Sequence, residues 1–369
     1  MNGQDLTGIL MTFVLLSLLF YLNREIEVWR LVHEIELYLN AYRLSKEKAL
    51  DRTLKTFREV IGRGGHKVEE SLLEDRVNNL IEVTLIDPVS LDPFGIVSKL
   101  KHILTTAEDT LRSEVRMLAP GASRPELENL LSLVEATRSL NYIYKAVDHL
   151  YRIGRRFKSL WILLQLSAQL PFVTELVKAL EGSVDAFSKG WPIGDGVGAL
   201  VASRLIRKHD GKPFRVAENT IVSRVEVDGR EVVVVKAEGP GGTTGRLDDA
   251  LRWVLESYEG PFSMIITVDA ALKLEGEESG TIAEGFGVAM GGTGVERFNI
   301  EKLATEKGIP LYAVLIKMSE SEALSVMTRK LLEAADRAEE RVLRVIRERS
   351  KAGDRVVVVG VGNTIGIYP

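Results

Sequence analysis

Two acidic residues stand where a sheet commonly carries chemical groups. The apolar segments VVVVKAE (residues 232–238) and SMIITVD (residues 263–269) predict two strands, which end at Glu238 and Asp269. Between them lie a glycine-rich turn, GPGGTTG, and a helical segment, LDDALRWVLESY. Ligand and catalytic groups gather at the carboxyl edge of a parallel sheet. We therefore expect both acids at that edge, and Asp269 is the first residue to test.

A third acid opens a predicted helix. The segment GDGVGALVASRL (residues 194–205) places Asp195 in a Gly-Asp-Gly turn, after which apolar residues recur at helical spacing. Aspartate is a preferred N-cap residue, because its carboxylate accepts hydrogen bonds from the free N–H groups of the first turn. Taken alone, Asp195 is best explained as a helix cap.

Glycine-rich turns occur four times in the same part of the chain, at residues 194–198, 239–245, 285–294 and 360–362. None has a complete nucleotide motif, because GPGGTTG lacks the Lys-Ser/Thr of a P-loop and GVGN lacks the third glycine of a dinucleotide fingerprint. Backbone amides at such turns can bind an anion. Each turn alone is better explained as structural, but four of them indicate a binding site.

Composition limits the kinds of chemistry that the chain can perform. The 369 residues are 45% hydrophobic and 27% charged with a net charge of -4, so we expect sizeable cores and no nucleic-acid partner. The absence of cysteine excludes disulfides, thiolate nucleophiles and cysteine-ligated metal sites. Since no histidine follows His209, a histidine-based site in the C-terminal part would need a distant ligand. We predict neither a metal nor a cofactor.

An uncharged apolar segment near the N-terminus predicts a membrane anchor. Residues 6–22 read LTGILMTFVLLSLLFYL, which is near the lower length limit for a bilayer-spanning helix. Asp5 precedes the segment and Arg24 follows it, which is the reverse of a signal peptide. All the nearby Lys and Arg residues lie downstream, so we predict a single-pass protein of the cell membrane with its bulk in the cytoplasm. The alternative is a buried or interfacial helix.

The pattern of helices and strands predicts four regions. Residues 1–22 form the anchor, 23–92 an amphipathic helical stalk region with a short strand at 83–86, 93–190 an all-helical middle domain, and 191–369 an α/β domain with a mainly parallel sheet. The stalk can pair with a second copy in a homo-oligomer or pack on its own chain, and packing is the more common outcome. Within the α/β domain we expect separate strands at 215–222 and 223–227, and one long helix over 320–350.

A second apolar segment lies in the helical region. Residues 160–172 read LWILLQLSAQLPF, which is too short to cross a bilayer and contains Pro171. We favour a core helix, and a re-entrant or interfacial segment is the alternative.

The order of motifs resembles a family of peptidases. PGGTTGRLDDALRWVLESYEGPFSMIITVDAALK and GFGVAMGGTGVERFNIEKLATEKGIPLYAVLI are similar to two segments of the bacterial spore germination protease. The related hydrogenase maturation endopeptidases open with a strand and a Gly-x-Gly-Asn turn that runs directly into an acidic-Gly-x-Gly helix start. Here VVVVGVGN stands at residues 356–363, whereas GDGVGALVASRL stands at residues 194–205. The resemblance implies a circular permutation of this phosphorylase/hydrolase-like fold, for which the termini must lie close together.

The same resemblance assigns roles to residues. Asp195 and Asp269 match the paired catalytic aspartates of the germination protease. Two neighbouring carboxylates do not both ionise easily, so one holds a proton while the other activates water. In the hydrogenase endopeptidases the matching acids bind metal with a downstream histidine, which this chain lacks. The resemblance implies substrate binding by the glycine-rich loops through Gly241, Gly242, Thr243, Thr244, Gly291, Gly292, Gly362 and Asn363, with Glu238, Lys273, Glu278 and Glu284 in supporting positions.

Chain length, the anchor and the motifs PIGDGVG and GVGNTIG also resemble an archaeal domain-of-unknown-function family, number 1512, which implies no activity. We therefore predict one of two functions. The first is a membrane-anchored peptidase that uses Asp195 and Asp269 on a protein or peptide substrate. The second is a non-catalytic membrane-tethered scaffold or a small-ligand or nucleotide sensor with the same fold.

Overall fold

The computed structural model describes residues 3–66, 68–89, 95–292 and 294–369. The chain forms two compact units, and each is built from separate ranges of the sequence. The first unit contains the residues up to Ala49 together with Ser139–Lys178. The second contains Leu50–Arg138 together with Ala179–Pro369, so part of the helical region belongs to the same unit as the sheet.

The N-terminal half is helical, as the sequence predicts. Its helices are α1 (Gly3–Arg63), α2 (Glu70–Glu82), α3 (Ile96–Leu118), α4 (Arg124–Arg156) and α5 (Leu160–Lys189). The short strand expected at residues 83–86 is wrong, because this segment forms neither helix nor strand. Its side chains are exposed and no strand pairs with it in the part of the chain that the structure describes, so its backbone has no sheet to join.

The first unit is a bundle of the N-terminal part of α1 with parts of α4 and α5. Apolar side chains of α1 are exposed from Ile9 to Leu22, whereas from Val28 onward one in every three or four is buried. On α5, Leu163, Leu166 and Leu170 are buried but Trp161 remains exposed, so the predicted core helix buries only one face. Within the described residues, α1 and α5 both have the length and composition of membrane spans. The membrane anchor itself stays a prediction.

The C-terminal half contains one sheet of seven strands. They are β1 (Phe214–Ala217), β2 (Thr220–Val227), β3 (Arg230–Ala237), β4 (Met264–Leu272), β5 (Ile282–Phe286), β6 (Leu311–Met318) and β7 (Arg355–Gly360). Their order is β1-β2-β3-β7-β4-β6-β5, with parallel pairing from β3 to β6 and antiparallel pairing at both edges. The sheet is therefore mixed, and the parallel arrangement predicted for it describes only its centre.

Local turn chemistry explains the antiparallel edge. The β2–β3 hairpin turns at Asp228 and Gly229, which both have positive φ (49° and 73°), as a tight two-residue hairpin requires. The boundary predicted between strands at residue 222 is wrong, because β1 and β2 are separated earlier. Asn219, with φ of 50°, forms that earlier turn, and asparagine tolerates this conformation.

Helices cover both faces of the sheet. They are α6 (Val197–Lys208), α7 (Leu247–Ser257), α8 (Val295–Lys307), α9 (Glu320–Leu324) and α10 (Arg329–Arg349). Helices α6 and α10 pack on one face, and α7 and α8 pack on the other. The valine runs of β3 and β7 are buried on both sides, which is typical of central parallel strands.

The single helix expected over residues 320–350 is wrong, since it is divided into α9 and α10. Ser319 caps α9 with a capping box and Thr328 caps α10. The segment between them pairs with the chain just before α6. Gly194 N–H donates to Ser325 O at 3.0 Å, and Met327 N–H donates to Pro192 O at 2.7 Å. These hydrogen bonds replace helical ones, so the sequence pattern alone did not reveal the break.

Candidate functional site

The end of β7 lies beside the start of α6, although 160 or more residues separate them in sequence. Asn363 N–H donates to Asp195 Oδ2 at 2.8 Å. Glycine is required at two close approaches here. A Cβ atom on Gly362 would lie 2.0 Å from Asp195 O, and a Cβ atom on Gly198 would lie 2.1 Å from Val268 O. These approaches hold Asp195 next to the carboxyl ends of β4 and β7.

Asp269 lies on β4 where that strand leaves the core. Only 4% of its surface is exposed. Its Oδ1 accepts a hydrogen bond of 2.7 Å from Ala270 N–H, and its carboxyl group also accepts one from Gly291 N–H in the loop after β5. The strand fixes the backbone and the loop fixes the carboxyl group, so the side chain has a defined orientation.

Both acids line one cavity of about 400 Å³. Of the residues that the sequence singled out, the cavity brings together Asp195, Thr244, Asp269, Gly291, Gly292 and Gly362. Lys101, Leu104 and Glu108 of α3 line it as well. The site is therefore formed at the carboxyl edge of the sheet and is completed by a helix from the N-terminal half.

Burial controls the ionisation of the two acids. It raises the pKa of Asp195, and the hydrogen bond from Asn363 N–H only partly opposes this effect. Burial first, and the negative charge of Asp195 second, raise the pKa of Asp269 to about 8. The two carboxyl groups thus interact, and Asp269 holds its proton at neutral pH.

Neither acid has a cationic partner in the described part of the chain, because no ion pair joins Asp195 or Asp269 to a lysine or an arginine. Within residues 3–66, 68–89, 95–292 and 294–369, no three His, Asp or Glu side chains are grouped as a metal site would require. Two interacting carboxyl groups of this kind can hold and transfer protons.

Family models match nearly the whole chain. Residues 9–190 match a model described as Protein of unknown function (DUF1512) N-terminal domain. Residues 193–368 match one described as Domain of unknown function (DUF1512) C-terminal. The chain belongs to the DUF1512 family. A search of the curated proteins finds no match. The acids come from the C-terminal family region, and the N-terminal family region contributes the residues of α3.

A second group of charged residues adjoins the same cavity, and sequence reasoning missed it. Lys101 Nζ donates to Asp248 Oδ2 at 2.8 Å and to Asp249 Oδ1 at 2.9 Å. Arg246 Nη2 donates to Glu108 Oε2 at 2.8 Å. One signal could have found part of this group, because Arg246 directly follows the Thr-Thr-Gly turn.

Glu296, at the start of α8, is another cavity acid that the sequence did not indicate. Burial is the main cause that raises its pKa to about 7, and the charge of Asp248 adds to the effect. Arg246 and Lys101 act in the opposite direction. Glu296 therefore titrates near neutral pH at the boundary between the two groups of acids.

The rest of the turn at residues 239–245 contacts α4. Gly242 N–H donates to Asn129 Oδ1 at 2.8 Å, and Ser132 Oγ donates to Gly242 O at 2.7 Å. A Cβ atom on Gly241 would lie 2.9 Å from the Glu128 side chain. Gly242, Thr243 and Asn363 line a neighbouring cavity of about 420 Å³, which shares Thr244, Arg246 and Glu296 with the first.

The residues expected in supporting positions do not line the cavity with Asp195 and Asp269. Glu238 binds Arg215 at 2.7 Å, and Glu284 binds Arg341 at 2.9 Å. Lys273 Nζ donates to Glu277 O at 3.2 Å. Glu278 lies at the surface, 3.9 Å from Lys330. These side chains form ion pairs and hydrogen bonds elsewhere in the unit.

Proposed function

We propose that this chain is a membrane-anchored peptidase with its body in the cytoplasm, which hydrolyses peptide bonds with Asp195 and Asp269. One observation carries the proposal: two acids from distant parts of the sequence share a cavity and interact without a cation between them. An acid with only a structural role would not need a second acid in the same cavity.

The proposed reaction uses the two acids in different roles. Burial raises the pKa of both acids, so the pair shares one proton. Asp269, with the pKa of about 8, carries that proton and is the general acid, while Asn363 N–H stabilises the carboxylate form of Asp195, which is the general base. Asp195 takes a proton from water as the water oxygen attacks the amide carbon. Asp269 donates its proton to the departing nitrogen as the C–N bond breaks, which gives a carboxylic acid and an amine.

Space for a substrate backbone lies beside the acids. Gly291 and Gly292 are exposed, and no atom lies within 4 Å of the position that a Cβ atom would occupy on either residue. A peptide backbone can therefore approach this loop closely. The neighbouring cavity has room for a flanking part of the same substrate.

The contact between β7 and α6 supports the permuted-peptidase resemblance. In that fold the Gly-x-Gly-Asn turn would continue directly into the helix. Here the two pieces are separate in sequence, but Asn363 N–H hydrogen-bonds Asp195 and Ala199 N–H donates to Val361 O at 3.1 Å. A permuted chain would have this neighbourhood.

The proposed anchor is the first part of α1. Its large apolar side chains from Ile9 to Leu22 are all exposed. Such a surface is costly in water and suits a bilayer. Arg24 and the charged residues that follow would remain in the cytoplasm.

A non-catalytic sensor of a small anion or nucleotide is the second candidate. Lys101 and Arg246 favour it, because both line the cavity. Each already binds a carboxylate, however, so an anionic ligand would have to displace Asp248 or Glu108. We therefore favour the peptidase.

Cleavage of a peptide library tests the proposal. We expect Asp269→Asn and Asp195→Asn each to lose about 10²–10⁴-fold in rate, which is the usual contribution of a positioned acid or base. Asp249→Asn, at an exposed acid next to the site, should keep most of the activity. Equal rates in the wild type and Asp269→Asn would overturn the peptidase. A thermal shift with a nucleotide but no hydrolysis would favour the sensor.

A further inference from the structure

The turn between α4 and α5 lies at the level where the apolar segment of α1 ends. Arg24 Nη2 donates to Lys158 O at 3.4 Å, and Lys158 Nζ donates to Glu25 Oε2 at 2.9 Å. Arg24 comes two residues after Leu22, or about 3 Å along the helix axis. All these residues belong to the first compact unit.

The remaining contacts of this unit lead away from the apolar segment. Along α5, Ser167 Oγ donates to Glu34 at 3.0 Å, and Tyr42 Oη lies 2.7 Å from Thr174 Oγ1. Helix α5 therefore runs parallel to α1. Helix α4 returns in the opposite direction, since Tyr144 lies next to Lys46 and Tyr151 next to Glu36. The α4–α5 turn is thus the end of the hairpin nearest to the apolar segment.

Aromatic side chains are exposed at this end of the hairpin. Phe157 is 65% exposed and Trp161 is 75% exposed, one on each side of the turn. On α1, Trp29 is 70% exposed. Tryptophan is enriched at the level of the lipid headgroups, where its ring contacts both apolar and polar groups. In water alone, these exposed rings would be unfavourable.

Basic residues outnumber acidic ones around the turn. Between residues 149 and 174 there is no Asp or Glu, but four basic residues occur: Arg152, Arg155, Arg156 and Lys158. Three of them pair with acids of neighbouring segments, Arg152 with Asp148, Arg155 with Glu36 and Lys158 with Glu25, whereas Arg156 lies over the ring of Phe157. Arg24 adds a further positive charge beside the turn. Basic residues near an anionic leaflet gain about 1 kcal/mol each. The basic residues and the exposed aromatic rings therefore both favour a membrane surface with anionic lipids as the partner.

We propose that the α4–α5 turn is a second membrane contact, which docks on anionic lipid headgroups with Phe157 and Trp161 in the interface. This inference rests on the proposed anchor, because α1 brings the turn to the bilayer surface. A single spanning helix leaves its unit free to rotate about the helix axis. A second contact would restrict that rotation and fix the face that the unit presents to the bilayer.

The absence of cysteine makes the test direct. Single variants Phe13→Cys, Trp161→Cys and Phe298→Cys of the full chain are labelled with an environment-sensitive fluorophore and reconstituted into phosphatidylcholine vesicles, with or without phosphatidylserine. All three positions are exposed, so each variant should fold. Position 13 reports the anchor, position 161 the turn, and position 298 an exposed aromatic of the second unit.

We expect quenchers attached to the lipid to quench the labels at positions 13 and 161, and iodide in the water to quench the label at 298. Phosphatidylserine should increase the lipid quenching at 161 several-fold. Adding Arg156→Gln should reduce this increase, whereas the exposed Arg207→Gln in the second unit should not.

The outcomes separate this inference from the anchor. A label in lipid at 13 but in water at 161 would overturn the second contact and leave the anchor intact. Labels in water at both positions would overturn both proposals. Equal quenching at 161 with and without phosphatidylserine would overturn the anionic-lipid partner.

Discussion

The Asp195–Asp269 pair and the Asp248–Asp249–Glu108 group adjoin the same cavity, yet only the second group has cations. Lys101 binds both Asp248 and Asp249, and Arg246 binds Glu108. Asp248 and Asp269 are almost equally buried. Burial alone therefore does not distinguish a structural acid from the proposed catalytic one.

The difference lies in what offsets the burial of each acid. A buried carboxylate with a close cation connects elements of the structure, as Asp248 connects α7 to Lys101 of α3. Without a cation, burial keeps a proton on the pair of acids, and that proton is available for transfer. Glu296 has neighbours of both signs, and its pKa of about 7 is intermediate.

The largest expected effect comes from removing the cation of the structural group. Lys101→Met would leave Asp248 buried without its lysine, and among the described residues only Asn299 Nδ2 would still donate to Asp248 Oδ2. Breaking a buried pair in this way costs about 3–5 kcal/mol, and since Lys101 is partly exposed we expect about 3 kcal/mol. Urea denaturation at pH 7 measures the loss.

Lys302→Met is the matched control. Lys302 also lies near a carboxylate, Glu306 at 3.8 Å, but both side chains are exposed. We expect this variant to stay within ~0.5 kcal/mol of the wild type. If Lys101→Met were equally neutral, Asp248 would not depend on its cation, and the contrast between the two groups of acids would fail.

The second prediction concerns the pH dependence of stability. The pKa of Asp269 is raised to about 8, so the folded protein keeps a proton that the unfolded chain releases above about pH 4. Its contribution to stability is therefore full below pH 4 and is lost as pH rises to 8. Asp269→Asn cannot ionise, so we expect it to exceed the wild type by a few kcal/mol at pH 8 and to match it near pH 4, since each pKa unit corresponds to ~1.4 kcal/mol.

Asp228→Asn provides a control with the opposite sign. A hydrogen bond from Arg347 lowers the pKa of Asp228, so its contribution is lost as pH falls. Asparagine also suits the positive φ at this hairpin position. This variant should gain no stability at pH 8. A loss of stability in Asp269→Asn at pH 8 would show that Asp269 is ionised there.

Periodicity and strand-end position account for the parts of the fold that the sequence predicted. The helical N-terminal half and the valine-rich strands could be predicted from local pattern, because apolar residues recur at helical spacing in the helices and form short continuous runs in the central strands. The turn at Asn219 and the break at Ser325–Thr328 did not follow. Both depend on hydrogen bonds to segments that are distant in sequence.

The site likewise has one part that the sequence predicted and one part that it did not. Asp195 and Asp269 could be predicted from their motifs, because glycines at close backbone approaches and an acid at a strand end are visible in the local sequence. The sequence of α3 contains no such signal, since a lysine and a glutamate on a helix usually indicate a solvated face. Only the packing of α3 against the sheet edge shows that Lys101 and Glu108 belong to the cavity.

The smallest expected effect tests whether the two catalytic candidates share a proton. Burial is the main cause of the raised pKa of Asp269, and Asp195 is the second. Asp195→Asn should therefore lower that pKa by about one unit without returning it to the value of an exposed aspartate. Carbon-13 NMR titration of the Asp269 carboxyl group measures the shift. Asp249→Asn should leave the pKa of Asp269 unchanged, because Lys101 already compensates the charge of Asp249. An unchanged pKa in Asp195→Asn would make Asp269 an isolated buried acid, and the cavity would then contain one proton donor without a coupled base.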